Sequence, residues 1–594
     1  MNRRLSSIRP SIRAAATVAV VVAGFLLTLA WLAVGPASAA TLTVCPHGCA
    51  YSQVAAAVAA AGNGDTVNVA PGTYQGGFTI SKDLTLNGAG ARQTTISGGG
   101  PVITVGVYNA ASEPTVGISG FTITGGDTHS AFGESNLALG GGVWVPPAAD
   151  NGTGATLTIT GSVITGNAVA PTTAVDAGFS CGPTGDCQFA QAGGGGIDSW
   201  GDVTLEDTIV NNNEAAGAVT SDADGAGIYS QEGALTVDRS VIIDNQAIAT
   251  IPNGRFAEGA GIMFDTTFSA PACTLPQPTC TLVIRDSVVS DNASTVTSSL
   301  PSFGQGQLIS IGANAGGVHV GDDIPTTVRN TAIDANSATA TDLEGEPSAI
   351  DAGMILGDSP LTMQNVNIDN NRTITTSATT ADVGSNGNAI ELDGPGTISD
   401  TKIDDNVATS TSPDGAAATD GGLAVLNFTG DPKLVTVENS VISGNITQAH
   451  SSTGSASVLG GAVFNNSLLL MRNVRISGNA GRADGPTGVA QGGGIWNGVD
   501  ASGPPVQLTL ENTSVTNNVL TGTPGIRLQG GGLFTTSPVA LTNTTIERNQ
   551  PDQCVGCSAG AKRHSTTNSR ALVLAPRRRF PANKVLGRTV TTPH

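Results

Sequence analysis

Adjacent acidic residues are the first candidates for chemistry in this sequence, because neighbouring carboxylates can ligate calcium or assist proton transfer. Such pairs occur at Asp322 and Asp323 and at Asp404 and Asp405. The first pair follows a glycine-rich segment and the second precedes Asn406, so the two pairs are not expected to converge. The candidate bases are scattered arginines: Arg255, Arg285 and Arg329. The pattern predicts solvated turn residues and assigns no catalytic residue, no metal site and no cofactor.

The histidines do not complete a recognisable catalytic group either. His129, His319 and His450 are far apart in sequence and lack obvious nucleophile partners. The segment DADG, from Asp222 to Gly225, begins like a calcium-binding loop, but no glutamate follows at the spacing that such a loop needs. This segment is interpreted as a polar turn.

Six side chains share one position, directly after a glycine-rich pair and a branched or apolar residue. They are Trp144, Tyr229, His319, Phe464, Trp496 and Phe534. Because strand side chains alternate in direction, this position faces outward when the preceding residue faces inward. The whole chain has 22 Phe, Trp and Tyr residues, so the recurrence indicates enrichment. Two interpretations stay open: a groove for sugar rings or a partner protein, or packing beneath long loops.

A repeat must position these residues. An 11-residue pattern, apolar-x-apolar-x-x-small-x-[IV]-x-x-Asn, recurs along the chain, for example as "LTVDRSVIIDN" and "VTVENSVISGN". An earlier copy ends in Gly126, and the mean spacing of the copies is about 38 residues, typical of a solenoid or a propeller. The closing asparagines are Asn167, Asn213, Asn245, Asn292, Asn336, Asn371, Asn406, Asn445, Asn479, Asn518 and Asn549.

Each period contains three short apolar alternations, the third of them in segments such as "GGGVWV" and "GAGIYS". Such a unit cannot bury its apolar side alone, so the units must stack. The sequence therefore predicts an all-β fold, a right-handed parallel β-helix solenoid of about 12 or more coils. A propeller is the alternative, although its blades usually need four strands and an aromatic signature. The turn asparagines are expected to form a ladder of buried amides.

The ends of the chain differ from the repeats. Residues 1–40 combine basic residues, an apolar run and a small-residue cleavage pattern, and are interpreted as a signal peptide, with an uncleaved membrane anchor as the alternative. Residues 41–100 are expected to hold an N-terminal cap and the first coils, with a short capping helix in residues 50–61. The repeats are expected to span 101–557. Residues 558–594 read as a basic disordered tail, although a displaced reading frame would explain them equally well.

Charge and cysteines fit an exported protein. Residues 41–560 carry 14 basic and 46 acidic side chains, and such a surface repels nucleic acid. The eight cysteines form four near-neighbour pairs, which favours loop-closing disulfides over a zinc site. The pairs are Cys45 with Cys49, Cys181 with Cys187, Cys273 with Cys280 and Cys554 with Cys557. We expect a secreted, extracellular or cell-surface-associated bacterial protein.

The helix segment, "GDTVNVAPGTY", "FTISKDLTLNGAG" and the coils together resemble the pectin-lyase-like right-handed parallel β-helix superfamily. The alternation of Gly-Gly-[AIV] with x-x-Asn is also similar to repeats of polymorphic outer-membrane proteins and related bacterial surface proteins. The resemblance covers roughly residues 41–557 and is specific for fold, because the superfamily includes lyases, hydrolases, adhesins and inactive scaffolds.

Two functions remain open on this basis. The leading hypothesis is a binding or structural module of the adhesin type, including carbohydrate binding, whose partner is a polysaccharide or a cell-surface protein. The alternative is a polysaccharide lyase or glycoside hydrolase that acts on acidic polysaccharide. In that resemblance, calcium and an arginine base would be required, and they would have to meet on one face of the rod.

Overall fold

The computed structural model describes residues 39–149, 152–176, 188–250, 255–265, 280–298, 311–342, 347–378, 382–387, 389–419, 421–427, 430–499 and 506–557. Within these ranges the chain forms one helix, Val54–Ala60, and five long parallel sheets. No helix in these ranges is long and apolar enough to cross a membrane. The predicted basic tail and all but the last two residues of the predicted signal peptide lie outside the described residues.

Each full coil runs through five strands, one in each sheet. The coil that starts at residue 156 passes through Thr156–Thr160, Val163–Thr165, Ala168–Val169, Gln191–Gly193 and Ile197–Ser199. We call the sheets that contain these strands sheets 1 to 5, in that order. Every strand pairs in parallel with its equivalent one coil away, for example Leu157 with Val203. The fold is therefore a parallel β-helix, and the propeller alternative is wrong.

Sheets 1, 2 and 5 run along most of the rod. Sheet 1 has fifteen described strands: Thr41–Val44, Asp65–Val69, Leu84–Gly88, Thr115–Ser119, Thr156–Thr160, Val203–Glu206, Ala234–Asp238, Thr281–Arg285, Thr326–Arg329, Leu361–Gln364, Gly396–Ser399, Leu434–Glu438, Leu468–Arg472, Gln507–Glu511 and Val539–Thr542. Sheet 2 has fourteen: Gly72–Gln75, Thr94–Ser97, Thr122–Thr124, Val163–Thr165, Ile209–Asn211, Val241–Ile243, Val288–Ser290, Ala332–Asp334, Asn367–Asp369, Lys402–Asp404, Val441–Ser443, Arg475–Ser477, Ser514–Thr516 and Thr545–Glu547. Sheet 5 has fourteen: Phe78–Ile80, Ile103–Val105, Val143–Val145, Ile197–Ser199, Ile228–Ser230, Ile262–Phe264, Val318–Val320, Met354–Leu356, Ile390–Leu392, Leu423–Val425, Val463–Asn465, Ile495–Asn497, Leu533–Thr535 and Cys554–Val555.

Sheets 3 and 4 start later along the chain and form the sides of a narrower lobe. Sheet 3 has eleven described strands: Asp127–Thr128, Ala168–Val169, Glu214–Ala215, Gln246–Ala249, Ala293–Ser298, Ser337–Asp342, Arg372–Ser377, Val407–Ser412, Ile446–Ser451, Ala480–Asp484 and Val519–Gly522. Sheet 4 has eleven: Leu137–Leu139, Gln191–Gly193, Asp222–Asp224, Phe256–Glu258, Ile311–Asn314, Pro347–Ile350, Asp382–Asn386, Gly415–Thr419, Ser455–Leu459, Thr487–Gln491 and Ile526–Gln529. A short antiparallel pair, Val175–Asp176 with Gln188–Phe189, lies outside the five sheets.

The sequence predicts three strands per coil, but a full coil has five. The two strands that the sequence pattern misses enclose a second core. Between sheets 1, 2 and 5 the interior is filled by branched and aliphatic side chains such as Leu157, Ile164 and Ile197. Between sheets 3 and 4 it is filled mainly by alanines, among them Ala192 and Ala223. Alanines and hydroxyl residues give no apolar alternation, so the strands of sheets 3 and 4 do not show in the hydrophobic pattern.

The repeated asparagines form a ladder along the turn that follows sheet 2. Each side-chain Nδ2 donates to Oδ1 of the asparagine one coil on, at 2.9–3.0 Å, from Asn167 to Asn549. The same Oδ1 atoms accept backbone N–H groups, as Asn213 Oδ1 does from Asn167 N. All eleven asparagines are at most 3% exposed. The ladder thus pairs polar backbone groups that the turn would otherwise bury without partners.

The N-terminal end is covered as the sequence predicts. The helix Val54–Ala60 buries Val54, Ala57 and Val58 against the first strands. Since an open solenoid end exposes unpaired strand edges, this helix acts as a cap. Disulfides join Cys45 to Cys49 and Cys554 to Cys557. Cys280 is also disulfide-bonded and fully buried, whereas Cys181, Cys187 and Cys273 lie outside the described residues.

Candidate functional site

Carboxylates from consecutive coils meet on the outer side of sheet 4. Asp222 and Asp224 are the first and third residues of one strand, and Ala223 between them points into the alanine core. Glu258 occupies the position beside Asp224 on the next strand, and Asn314 occupies the position beyond it. Neighbouring strands lie about 4.8 Å apart, so the parallel register itself brings these side chains together.

Two basic side chains border this group of acids. Arg255 Nη1 lies 3.9 Å from Asp222 Oδ2, and His319 Nδ1 lies 3.8 Å from Glu258 Oε2. Glu258 Oε1 also accepts a hydrogen bond from Asn314 Nδ2 at 2.6 Å. His319 belongs to sheet 5, so the group extends across the bend from sheet 4 to sheet 5. We call this group the rim, because its side chains are partly exposed or lie next to partly exposed side chains. The rim consists of Asp222, Arg255, Glu258, Asn314 and His319.

Three more deeply buried residues accompany the rim on sheets 4 and 5. Asp224, Asp198 and Tyr229 are 4%, 0% and 3% exposed, and we call them the floor. Asp224 Oδ2 accepts a hydrogen bond from Gln191 Nε2 at 2.7 Å, and Asp198 Oδ2 accepts one from Gln231 Nε2 at 3.0 Å. Polar groups at such depth are costly unless they are paired or neutral.

Burial changes the protonation of these acids. It raises the pKa of Asp222 to about 7, even though the Arg255 charge acts in the opposite direction. Burial raises the pKa of Asp224 well above its usual range, and the neighbouring charges of Glu258 and Asp222 raise it further. The pKa of Asp198 is likewise raised well above its usual range by burial, which Gln231 and Trp144 only partly offset. Near neutral pH the cluster therefore holds carboxylic acids that can donate protons.

Tyr229 is held as a neutral phenol. Burial raises its pKa, and the negative charges of Asp224, Asp265 and Asp198 raise it further. Its ring lies against Gly193, where an added Cβ would be 2.6 Å from Tyr229 Cδ1. A side chain at position 193 would displace the ring, so this glycine makes room for the floor.

The sequence pattern assigns four of these residues to a wrong setting or does not group them: Asp222, Asp224, Arg255 and His319. The DADG segment is a strand of sheet 4 rather than a polar turn, because its alanine packs inward and both acids face outward. Arg255 and His319 were scattered candidates, and the fold brings them within one coil of each other. The signal that could have grouped them is the register: Asp224, Glu258 and Asn314 each stand four residues before the branched residue that begins the next strand of sheet 5.

The other candidate residues lie elsewhere. Asp322 and Asp323 follow sheet 5, whereas Asp404 and Asp405 end a strand of sheet 2 and begin its turn, so the two pairs do not meet. The remaining candidates bind other partners or lie at other faces: Arg285 pairs with Asp238, Arg329 ends a strand of sheet 1, His129 lies 3.2 Å from Asp127, and His450 is on sheet 3.

The six residues of the predicted aromatic column do lie in one row of sheet 5, interrupted by other residues. Trp144 pairs with Asp198, Tyr229 with Met263, and Phe464 with Trp496 and then Phe534. The rings of Phe464 and Trp496 stack at 4.5 Å between centroids. Tyr229, Trp496 and Phe534 are each at most 8% exposed, while Trp144, His319 and Phe464 are half-buried. Three of the six side chains are thus buried, and both the packing of loops over the column and ligand binding by it stay predictions.

The rim contains oxygen atoms of the kind that calcium prefers. Asp222 Oδ1 and Asn314 Oδ1 are buried and have no hydrogen-bond partner. Among the described residues, however, no three His, Cys, Asp or Glu side chains converge closely enough to hold a metal ion. The arrangement does not fit a calcium centre, and no step below depends on one.

Comparison with known proteins gives similarity of fold only. No known family profile and no curated protein matches the sequence. A mannuronic acid-specific polysaccharide family 6 lyase from human gut microbiota aligns with a TM-score of 0.27 and 12% identity, covering 80% of this chain and 86% of that one. The A-module of an Azotobacter vinelandii mannuronan C-5 epimerase aligns with a TM-score of 0.22 and 14% identity, covering 84% and 94%. An alginate lyase aligns with a TM-score of 0.22 and 11% identity, covering 86% and 88%.

The class that the sheets themselves define is the parallel β-helix. The similarity to polymorphic outer-membrane-protein repeats stays a prediction.

Proposed function

We propose that the chain is a carbohydrate-active enzyme of the polysaccharide lyase type that acts on an acidic polysaccharide. The observation that carries the proposal is the meeting of Asp222, Arg255, Glu258 and His319 on one outer face of the rod. This arrangement supplies an anion-binding group, a base and an acid on one face. It replaces the non-catalytic module as the leading hypothesis.

β-Elimination at a uronate requires three functions, and the rim offers a residue for each. Arg255, whose Nε is buried without a partner, binds the sugar carboxylate and stabilises the negative charge that develops there. His319, whose Nδ1 faces Glu258, removes the proton on the carbon next to that carboxylate through its other ring nitrogen. Glu258, 3.8 Å away, stabilises the imidazolium that forms.

The proton donor in this scheme is Asp222. Its pKa of about 7 keeps a large fraction protonated near neutral pH. The electrons of the broken C–H bond form the new carbon–carbon double bond, the glycosidic C–O bond breaks, and Asp222 gives its proton to the departing oxygen. Atoms and charges balance without water, oxidant or metal. The floor residues keep the rim carboxylates in place and limit their solvation.

The export assignment completes the proposal. An enzyme for a large polymer must reach it outside the cytoplasm, and we propose that residues 1–40 direct the chain there.

The experiment is incubation of the full-length chain with polymannuronate, polyguluronate and polygalacturonate, with calcium and with a chelator. The ultraviolet absorbance of the unsaturated product is the readout. We expect product from one polymer and a loss of at least about 100-fold with His319→Ala. His450→Ala is the matched control, because His450 is exposed on another sheet. Absence of unsaturated product from every polymer, with and without calcium, would rule out the lyase.

The stacked pair Phe464 and Trp496 favours a second candidate, a polysaccharide-binding module. Binding without product in the same incubations, together with weaker binding of Phe464→Ala, would support it. A binding module is also expected to tolerate His319→Ala, which separates the two functions.

A further inference from the structure

Three aromatic rings make contact one after another at the N-terminal side of the floor. The ring centroids of Tyr108 and Phe132 are 4.7 Å apart, and those of Phe132 and Trp144 are 5.6 Å apart. Tyr108 is 52% exposed. Exposure decreases from Tyr108 to the half-buried Phe132 and Trp144. We call these three residues the aromatic path.

The aromatic path leads to the candidate site. Trp144 pairs in register with Asp198, and Asp198 pairs with Tyr229. Trp144 also helps to lower the pKa of Asp198, so the indole acts directly on a floor carboxyl. Adjacent strands lie about 4.8 Å apart, so Trp144 joins the path to the floor, whereas Tyr108 and Phe132 lie outside the strands of sheet 5.

The loop that carries Tyr108 is held in place. Gly106 N donates to Ile80 O at 2.9 Å, Val107 N to Glu113 Oε2 at 3.2 Å, and Asn109 N to Pro147 O at 3.0 Å. These bonds anchor the loop on both sides of the exposed ring. A ring that is fixed before binding loses little conformational entropy when a ligand packs on it.

The middle ring occupies a strained backbone position. Phe132 has a φ of 53° and is followed by Gly133 at 83°, in a tight turn closed by hydrogen bonds between Ala131 and Glu134. Asparagine, aspartate and glycine are the usual residues at such positions, because larger side chains raise the energy of the left-handed backbone. A bulky residue in this conformation is a sign of a functional constraint.

We propose that Tyr108, Phe132 and Trp144 form a subsite that binds pyranose rings of the polysaccharide chain beyond the sugar that reacts. The apolar face of a sugar fits an aromatic ring, and its hydroxyl and carboxylate edges can reach the polar rim. The inference rests on the proposed polysaccharide substrate, but it concerns binding rather than elimination. It predicts that longer chains bind more tightly than short ones and that Tyr108 causes the difference.

Binding is measured by calorimetry on the His319→Ala chain, which leaves the polymer intact. The probes are the polyuronate that binds best among the three and a trisaccharide of the same sugar. We expect Tyr108→Ala to weaken polymer binding about tenfold and to change trisaccharide binding less, while Tyr108→Phe retains most of the affinity. Leu434→Ala is the matched control, because Leu434 is 51% exposed on sheet 1.

Phe132→Asn provides a second test, in which weaker binding cannot be attributed to unfolding. Asparagine tolerates the left-handed turn, so this variant is expected to keep or raise the melting temperature while weakening polymer binding about fivefold. If unsaturated product forms but neither Tyr108→Ala nor Phe132→Asn weakens polymer binding, the proposed subsite is wrong and the proposed lyase activity stands. Tyr108-dependent binding without product would leave the subsite intact and overturn the lyase. Absence of any polyuronate binding would overturn both.

Discussion

Arg255 Nη1 lies 3.9 Å from Asp222 Oδ2, and the two side chains are only 17% and 12% exposed. Because the burial of Asp222 outweighs this attraction, its pKa is raised to about 7 rather than lowered. The pair therefore combines a permanent cation with an acid that titrates near neutrality. This combination suits a site that must bind an anion and deliver a proton at the same place.

Replacing Arg255 with Gln is expected to raise the KM for the polyuronate at least about tenfold, since a buried charge-assisted contact is lost. It should also move the alkaline limb of the pH–rate profile to higher pH, because Arg255 is the group that lowers the pKa of Asp222. Initial rates across substrate concentration and pH measure both effects. Arg255→Lys keeps the charge and should show a smaller shift of the limb. An unchanged limb in Arg255→Gln would contradict the role of Asp222 as the proton donor.

The floor and rim acids predict a pH dependence of stability. The folded-state pKa values of Asp222 and Asp224 lie above the ordinary value of 3.8, so the folded protein retains protons that the unfolded chain releases. Their contribution is fully present below about pH 4 and falls as the pH rises, and that of Asp222 is lost as the pH passes through about 7. The chain should therefore melt at lower temperature at pH 8 than at pH 5.

Asp222→Asn should remove part of this pH dependence, because an amide cannot ionise. Thermal melts of the two proteins at pH 5 and pH 8 measure the difference. Glu214→Gln is the control, since Glu214 is exposed and should not alter the slope. A wild-type melting temperature that rises between pH 5 and pH 8 would mean that other groups dominate.

The repeat made the β-helix predictable because large apolar side chains recur at its buried positions. Ile164, Val210 and Ile242 recur at one position and stack in one buried row, and the asparagine three residues later fixes the turn. The alanine lobe was not predictable in the same way. Ala192 and Ala223 carry too little apolar surface to mark a strand, so a five-strand coil was read as a three-strand one.

The candidate site depended on the strands that the sequence did not reveal. Asp222, Asp224 and Glu258 belong to sheet 4, and without that sheet they read as loop acids. Their partner His319 belongs to sheet 5, more than fifty residues further along the chain. Only the register between coils places these groups side by side. That register cannot be inferred from the hydrophobic pattern, because the strands of sheet 4 leave no such pattern in the sequence.

The asparagine ladder predicts a large local loss of stability on truncation. Asn336 Oδ1 accepts from Asn292 N and Asn292 Nδ2, and Asn336 Nδ2 donates to Val289 O and Asn371 Oδ1. Asn336→Ala leaves these buried groups short of partners, so we expect a loss of about 2–4 kcal/mol in the free energy of unfolding. Asn365→Gly is the control, because Asn365 is exposed in a left-handed turn that glycine also adopts.

Chemical denaturation of both variants tests the ladder. If Asn336→Ala cost no more than Asn365→Gly, the ladder would be a geometric consequence of stacking rather than a source of stability.

The close approach of consecutive coils gives the last prediction. Gly317 is the second glycine of a Gly-Gly-Val segment. An added Cβ at this position would lie 2.4 Å from Gly353 O and 3.0 Å from Asn336 Nδ2. Both neighbours are held by the parallel pairing of coils, so neither can move without breaking hydrogen bonds. Gly317→Ala is therefore expected to cost at least about 3 kcal/mol or to prevent folding.

The matched control is Gly117→Ala, because Gly117 lies in a strand of sheet 1 and an added Cβ there meets nothing within 4 Å. This variant should melt within a few degrees of the wild type or slightly above it, since alanine restricts the unfolded chain more than glycine does. Melting curves and resistance to trypsin measure both variants. Equal stability of the two would show that the coils can separate locally at no cost. The glycines before sheet 5 would then serve the candidate site rather than the stacking of the rod.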